Sequence, residues 1–439
     1  MTDAVEKYLN KYSAGNRTAE IPSGKKFKNI AVIPAIKEFE NIRNLLLSLS
    51  RSSAEYFSES LFLFVINNTA SAEPEIKEAN QKTIEMLRGI INGNLNDELA
   101  RKVNSAGLNI GVIDASAGNN ALPDKEGGVG LARKIGMDYA LTLFDYNRKG
   151  KNILICPDAD CTVEKNYLTE IVRTFNKENL NAAYVSFEHP LPDDIESRLA
   201  IINYEIFLRY YVLGLIYSGS GYAIHTIGST MICSAEAYIK VEGMNKKKAA
   251  EDFYFMEKLC KNYPVVKIRG TKIKHSSRGS WRVPFGTGQR VNRYLSKAQN
   301  EYLLYSPESF EILRKWLAVF NSPVRHTASE YLREASAIHP ALNRFLTENN
   351  FEESWLKIEE NCRDEKQLAR QKHFWFDGFR TLKLIHFLRD NGIPQMEMYT
   401  AVNTLLNKFN RNIETELSED FYNTPEKQMP FLIALREIA

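Results

Sequence analysis

The chain has 439 residues, enough for two or three domains, with 44% apolar and 25% charged residues and a formal net charge of only +3. That balance excludes wholesale disorder and supplies no global electrostatic drive toward nucleic acid. The five cysteines, Cys156, Cys161, Cys233, Cys260 and Cys362, are odd in number and form no Cys-x-x-Cys pair; this argues against a zinc site or disulfide framework and for a reducing, cytoplasmic setting.

Residues 1–27 read as an N-terminal extension whose first 16 residues are polar, mixed in charge and without the apolar run of a signal peptide. Residues 29–34 (Asn-Ile-Ala-Val-Ile-Pro) are a short apolar run closed by a turn residue, the pattern of a buried strand. Ile42, Leu45, Leu46 and Leu49 then recur at helical spacing. A second strand is expected at 61–66, a helix at 74–91 and a third strand at 107–114. Gly127-Gly128-Val129-Gly130 opens a segment in which Leu131, Ile135 and Tyr139 share one helical face. A fourth strand at 153–156 ends at Pro157-Asp158-Ala159-Asp160, and a fifth is expected at 182–187. Strands alternating with helices predict an α/β fold with a mainly parallel sheet. The loops after Ile33, Ile66 and Cys156 should converge on one cleft beyond the carboxyl ends of the strands.

Residues 210–235 carry no Asp, Glu, Lys or Arg and are long enough to span a bilayer. Ser218-Gly219-Ser220-Gly221 interrupts them, so they read as a helix end followed by the wall of a site, with no transmembrane span; peripheral contact with a membrane stays open. Lys246-Lys247-Lys248 reads as a solvated turn. After about Tyr302 glycine and strand-like runs become scarce and Asp390-Asn391-Gly392-Ile393-Pro394 is a strong helix stop, so residues 301–439 are expected to form an all-α domain.

Four segments carry chemistry. Asp158 and Asp160 flank one small residue just past a buried strand, where two carboxylates can grip a hard divalent cation and leave its far side open; an ordinary strand-end turn has the same sequence. Glu38, in Pro34-Ala35-Ile36-Lys37-Glu38, can accept hydrogen bonds from a base or ribose, or can serve the start of a helix as an acid favoured by its dipole. Glu251-Asp252 opens an apolar-periodic segment; Asp252 can act as a general base on a hydroxyl, or the pair can be a helix N-terminal acid pair. The loop 275–288 brings together His275, a metal ligand type, Arg278 and Arg282, which can clamp phosphate, Trp281, and glycines that would let a lid open and close. Glu188, His189 and His225, next to strand ends or close before Gly228, are candidates for an acceptor pocket or satisfied core polars.

Taken in order, these segments resemble the family 2 glycosyltransferases of GT-A fold over roughly residues 28–290. Pro34 to Glu38 matches that family's Pro-Ala-x-x-Glu, Ala132-Arg133-Lys134-Ile135-Gly136 its Ala-Arg-x-x-Gly helix, Asp158 and Asp160 its metal motif, Gly228 to Asn245 the segment before its acceptor site, and Glu251-Asp252 its acid pair. The resemblance implies a GT-A glycosyltransferase domain over 28–300 that moves a sugar, hexosyltransferase-like, from a nucleotide-diphosphate donor to an acceptor hydroxyl with inversion. It implies a divalent metal, Mn2+ or Mg2+, on Asp158 and Asp160 with His275 as a further ligand, and Asp252 as base beside Glu251. Pro34, Ala35, Glu38, Asn67, Arg133, Asp158, Arg278 and Arg282 would face the donor, and the acceptor could be a glycan, a lipid-linked molecule or a small molecule. Surface-polysaccharide or glycoconjugate assembly would suit such an enzyme.

The sequence departs from the family in three ways. Asn67 stands where an acid usually reads the base, the Gln-x-x-Arg-Trp of membrane synthases is absent, and the helical C-terminal part lies outside the match. Two rival classes are a sugar-nucleotide-forming nucleotidyltransferase and a non-catalytic sugar-binding protein. The first would want an Arg-containing glycine loop after strand one; the second would not need Asp158, Asp160 and Asp252 together.

Overall fold

The computed structural model describes residues 2–15, 17–279 and 286–439. Internal contacts separate the chain into two units, one built mainly from Met1–Pro190 and Thr226–Ser276, the other mainly from Leu191–His225 and Gly286–Ala439.

Among the described residues of the first unit, nine strands form one sheet: β1 (Ala19–Glu20), β2 (Asn29–Ala35), β3 (Ser60–Asn67), β4 (Asn109–Ala115), β5 (Ile153–Ile155), β6 (Thr162–Val163), β7 (Ala182–Glu188), β8 (Met231–Ser234) and β9 (Val265–Lys274). Their spatial order is β1-β4-β3-β2-β5-β8-β7-β9-β6. All five expected apolar runs are strands, with ends within two residues of the expected bounds. Six strands run one way, and β1, β6 and β8 run against them. Every residue of β2 and β3 is buried, because helices cover both faces of a parallel sheet; such strands read as continuous apolar runs.

The helices supply the complementary faces. Phe39–Ser50 buries Ile42, Leu45, Leu46 and Leu49. Pro74–Ile91 buries Ile84, Leu87 and Ile90, with the polar Asn80 on the same face. Val129–Leu143 is buried nearly all round and lies directly on the sheet at Gly136, where a Cβ would come within 2.7 Å of Val65 Cγ2.

Strand order locates the cleft. From β2 the chain steps outward through β3 to β4, then returns to place β5 on the other side of β2. The carboxyl ends of β2 and β5 are therefore the point where the winding reverses, where open α/β sheets bind ligands. Because β8 runs against β5, the residues just before it arrive at that same end, and Cys156 N–H donates to the Met231 carbonyl at 3.1 Å. β7 and β9 are parallel and end together, with Glu188 opposite Lys274; β6, leaving the Asp160 turn, pairs Thr162 with Lys274.

Among the described residues, the second unit is helical apart from a two-residue ladder between Leu303–Leu304 and Met396–Glu397. Trp316, Phe320, Tyr331, Phe351, Trp355 and Phe376 fill its core. The helix Ile195–Tyr217, read in sequence as part of the first domain, belongs to this unit, since Ile202, Ile206, Tyr210 and Leu213 pack into that core. It is long and apolar enough to cross a membrane, but 78% of its most apolar window is buried within the protein. Its buried charges are paired: Glu205, 1% exposed, meets Arg209 Nε at 2.8 Å and Arg436 Nε at 2.7 Å.

Candidate active site

Arg133 sits in the second turn of Val129–Leu143 with 3% of its side chain exposed, and its guanidinium makes ion pairs with Asp158, just past β5, and with Glu251. Three local features permit this. Gly228, in the turn entering β8, has no side chain to obstruct the guanidinium; a Cβ there would lie 2.7 Å from Arg133 Cζ and against both terminal nitrogens. Gly130 lets the next loop approach the same helix, since a Cβ would lie 3.0 Å from Glu251 Cβ and 3.1 Å from the Asn245 carbonyl. Ala250 takes a left-handed conformation (φ 58°) immediately before helix Glu251–Asn262, and Asn245 Nδ2 donates to the Glu251 carbonyl at 2.9 Å. A non-glycine residue at positive φ costs about 1–2 kcal/mol, so the surrounding loop must enforce that turn.

Asp252 follows on the same turn, half-buried. Its Oδ1 accepts the Phe253 N–H at 2.7 Å, and the Gly228 backbone also hydrogen-bonds its carboxylate. One guanidinium thus serves three carboxylates. Burial works against the charge on Arg133, but Asp158, Glu251 and Asp252 together outweigh it and hold the cation above the usual arginine range. Burial pushes Glu251 up to about 7; Arg133 pulls it down and the Asp252 charge adds to the rise. Asp252 is also raised by burial, restrained by Arg133 and by the Phe253 and Gly228 hydrogen bonds.

A raised carboxyl pKa means that the folded state binds the extra proton. Glu251's contribution to stability is therefore full below the usual value of 4.5 and is lost as pH rises through about 7. Urea titrations of wild type and Glu251→Gln between about pH 5 and pH 7.5 should show the wild type losing stability relative to the variant as pH rises. Parallel curves would mean that Glu251 titrates as an ordinary surface acid.

A second cluster adjoins the Asp158–Asp160 turn. His275, just past β9 and 7% exposed, shares a 2.8 Å hydrogen bond between its Nε2 and Ser229 Oγ, stacks on Phe187 and meets the buried His189 edge-on. Ser229 also hydrogen-bonds Cys161, the residue after Asp160. The Gly228-Ser229 dipeptide therefore touches both clusters, Gly228 at Arg133 and Ser229 at His275.

The donor-side candidates lie at the ends of β2 and β3. Pro34 and Ala35 are buried in β2. Glu38 is 5% exposed and hydrogen-bonds the Asn41 side chain. Asn67 donates its Nδ2 to the carbonyls of Ala35 at 3.0 Å and Val65 at 3.3 Å, so its amide ties β2 to β3. The sequence reading missed Asn80. Its Nδ2 holds the Asn67 carbonyl at 3.0 Å and Asn68 Oδ1 at 2.7 Å, and its Oδ1 accepts from Lys37 N–H at 2.8 Å. The available signal was a polar residue on the buried face of an amphipathic helix.

Glu188, at the end of β7, is paired with Lys272 at 2.9 Å and Lys274 at 3.9 Å. His225 is buried in the second unit, and Arg278 is exposed in a segment that groups with that unit. Arg282 and Trp281 lie outside the described residues.

Among the described residues, no group of three or more His, Cys, Asp or Glu is arranged to hold a metal ion. Asp158, one-third exposed, and the half-buried Asp160 offer a pair of carboxylates. Such a pair fits a hard cation of the Mg2+ type, which binds through one or two carboxylates and keeps its remaining positions for water and phosphate oxygens.

No protein-family model matches the sequence, and no curated protein matches it. Solved structures similar to this chain include S. aureus TarS 1–349, alone and in complex with UDP-GlcNAc, each 14% identical with a TM-score of 0.37 over 92% of this chain and 91–92% of the other. Another is the mannosyltransferase PcManGT from Pyrobaculum calidifontis in complex with GDP-Man and Mn2+, 11% identical with a TM-score of 0.36 over 98% of this chain and 91% of that one. The likeness is too slight to transfer a site or a substrate.

Proposed function

We propose that this chain is a nucleotide-sugar-dependent glycosyltransferase of the GT-A, family 2 type, moving a sugar with inversion to an acceptor hydroxyl. The observation that carries the reading is the Arg133 ion cluster at the point where the sheet's winding reverses, with Asp252 held beside it. Asp252 accepts the proton of the acceptor hydroxyl. Its raised pKa brings it toward working pH while its hydrogen bonds to Phe253 and Gly228 fix the carboxylate's direction. The hydroxyl oxygen then bonds to the anomeric carbon as the bond from that carbon to the diphosphate breaks. Arg133 keeps Asp158 and Glu251 in place and lends positive charge to this group of acids.

Asp158 and Asp160 would hold Mn2+ or Mg2+, which when bound offsets the charge of the leaving diphosphate. Pro34, Ala35, Glu38 and Asn67 would form the base and ribose side. Glu188 and His189 are kept as acceptor-side residues and His275 as a metal or phosphate contact; for Arg278, Arg282 and His225 the assignment rests on sequence alone. Surface-polysaccharide or glycoconjugate assembly remains the suggested setting.

Calorimetric titration of UDP and GDP, each with and without Mn2+, tests the metal assignment. Asp160→Ala should weaken manganese-dependent binding by about tenfold or more and leave metal-free binding unchanged. Undiminished manganese dependence in the variant would remove Asp160 from the metal site.

A further inference from the structure

Tyr8 belongs to an N-terminal helix, Asp3–Tyr12, which lies outside the family resemblance, yet it is only 3% exposed. Its hydroxyl donates to Asp138 Oδ1 at 2.7 Å and accepts from Lys134 Nζ at 3.0 Å. Asp138 and Lys134 stand on the helix that carries Arg133, and Lys134 is its immediate neighbour. The Asp138 carboxylate is closed off by three further contacts: the Tyr238 hydroxyl at 2.7 Å, the Ala14 N–H at 2.9 Å and Lys134 at 3.1 Å. The other side of the tyrosine faces the chain that leads to Glu251. Gly243, at φ 70°, is moulded to it, since a Cβ there would lie 3.0 Å from Tyr8 Cζ and 3.1 Å from Tyr238 Cζ. One turn later Tyr12 hydrogen-bonds Glu242. Two residues beyond Gly243, Asn245 holds the Glu251 carbonyl.

Tyr8 therefore touches the helix that presents Arg133 and, at Gly243, the chain segment that leads on to the turn presenting Glu251 and Asp252. We infer that Tyr8 is a positioning residue that reinforces the spacing of Arg133 against the Glu251-Asp252 pair, so that the N-terminal helix is part of the active-site machinery. The inference rests on reading that cluster as the catalytic site. The physical reason is chain length. Arg133 and Glu251 are 118 positions apart and come from different elements, so an element that grips both chains reinforces the spacing that the ion pair and the close packing at Gly130 set directly.

The test is Tyr8→Phe in the full chain, which keeps the ring packed under Gly243 and removes the hydroxyl. Two quantities are read: hydrogen exchange of the ligand-free protein, and kcat and donor KM in sugar transfer. Exchange at the amides of Phe253 to Met256 should rise about tenfold or more, since the hydroxyl's bonds to Asp138 and Lys134 are both lost, while β3 stays protected. The kcat should fall about tenfold with donor KM within about twofold, the pattern of a misplaced catalytic group. Tyr146→Phe, which removes a hydroxyl hydrogen bond to the Leu141 carbonyl at the far end of the Arg133 helix, should change kcat by less than about twofold. Unchanged exchange and kinetics in Tyr8→Phe would overturn the inference. So would a loss of protection that extends equally to β3, because Tyr8 would then serve general stability. A local rise in exchange in a protein whose wild type turns over no nucleotide sugar would support the clamp and sink only the functional reading.

Discussion

Asp252→Asn is expected to reduce sugar transfer by about a hundredfold or more while leaving the affinity for donor nucleotide within about twofold. Asparagine has nearly the shape of aspartate, and its Oδ1 can still accept the N–H groups of Phe253 and Gly228 that orient the native carboxylate. What it cannot do is take a proton from a hydroxyl. The loss should therefore fall on kcat, as expected for a group that acts only in the transition state. Steady-state kinetics with the wild-type donor and acceptor, paired with equilibrium binding of the nucleoside diphosphate, separate the two effects. An equal loss of donor affinity would move Asp252 into the donor site. Retention of the anomeric configuration in the wild-type product, read by proton NMR, would remove the single-displacement scheme.

Arg133→Met should destabilise the first unit by about 3–5 kcal/mol, the range for removing one partner of a buried ion pair. Glu251 is 3% exposed and would keep its burial while losing its counter-charge. Its carboxyl, already raised to about 7, should move higher still, because Arg133 is the main influence pulling it down. Arg133→Met combined with Glu251→Gln should recover part of the loss, because the pair then buries no unmatched charge at that position. Urea unfolding of the single and double variants measures both quantities. A loss below about 1 kcal/mol in Arg133→Met, or a double variant less stable than the single, would mean that the ion cluster does not hold this part of the first unit together.

The parts of the first unit legible in the sequence are those whose signal is local. Leu61 to Ile66 is unbroken apolar sequence because β3 is buried on both faces, and the helix at 39–50 shows its apolar stripe residue by residue. β9 was not legible: a register shift where it meets β7 after Val185 breaks the alternation in Val265–Lys274, and lysines and an arginine line much of it. The reversed direction of β8 leaves no mark on Met231–Ser234 itself, yet it delivers Gly228 and Ser229 to the end of β5. The site shows the same division. Asp158, Glu251 and Asp252 could each be singled out, and the motif containing Arg133 could be matched, but the ion pairs linking positions 133, 158 and 251 follow from topology. Tyr8 and Asn80 escaped notice because each acts on partners far along the chain or through a side chain hidden on a helix's packed face.

The most direct measurement is phosphorus NMR of purified protein incubated with individual nucleotide sugars and Mn2+ or Mg2+, with and without candidate acceptors. The expected result is release of nucleoside diphosphate from a defined donor, dependent on metal and lowered about a hundredfold or more by Asp252→Asn. Failure to release nucleoside diphosphate from any donor, or conversion of nucleoside triphosphate and sugar phosphate into sugar nucleotide, would contradict glycosyl transfer at this site.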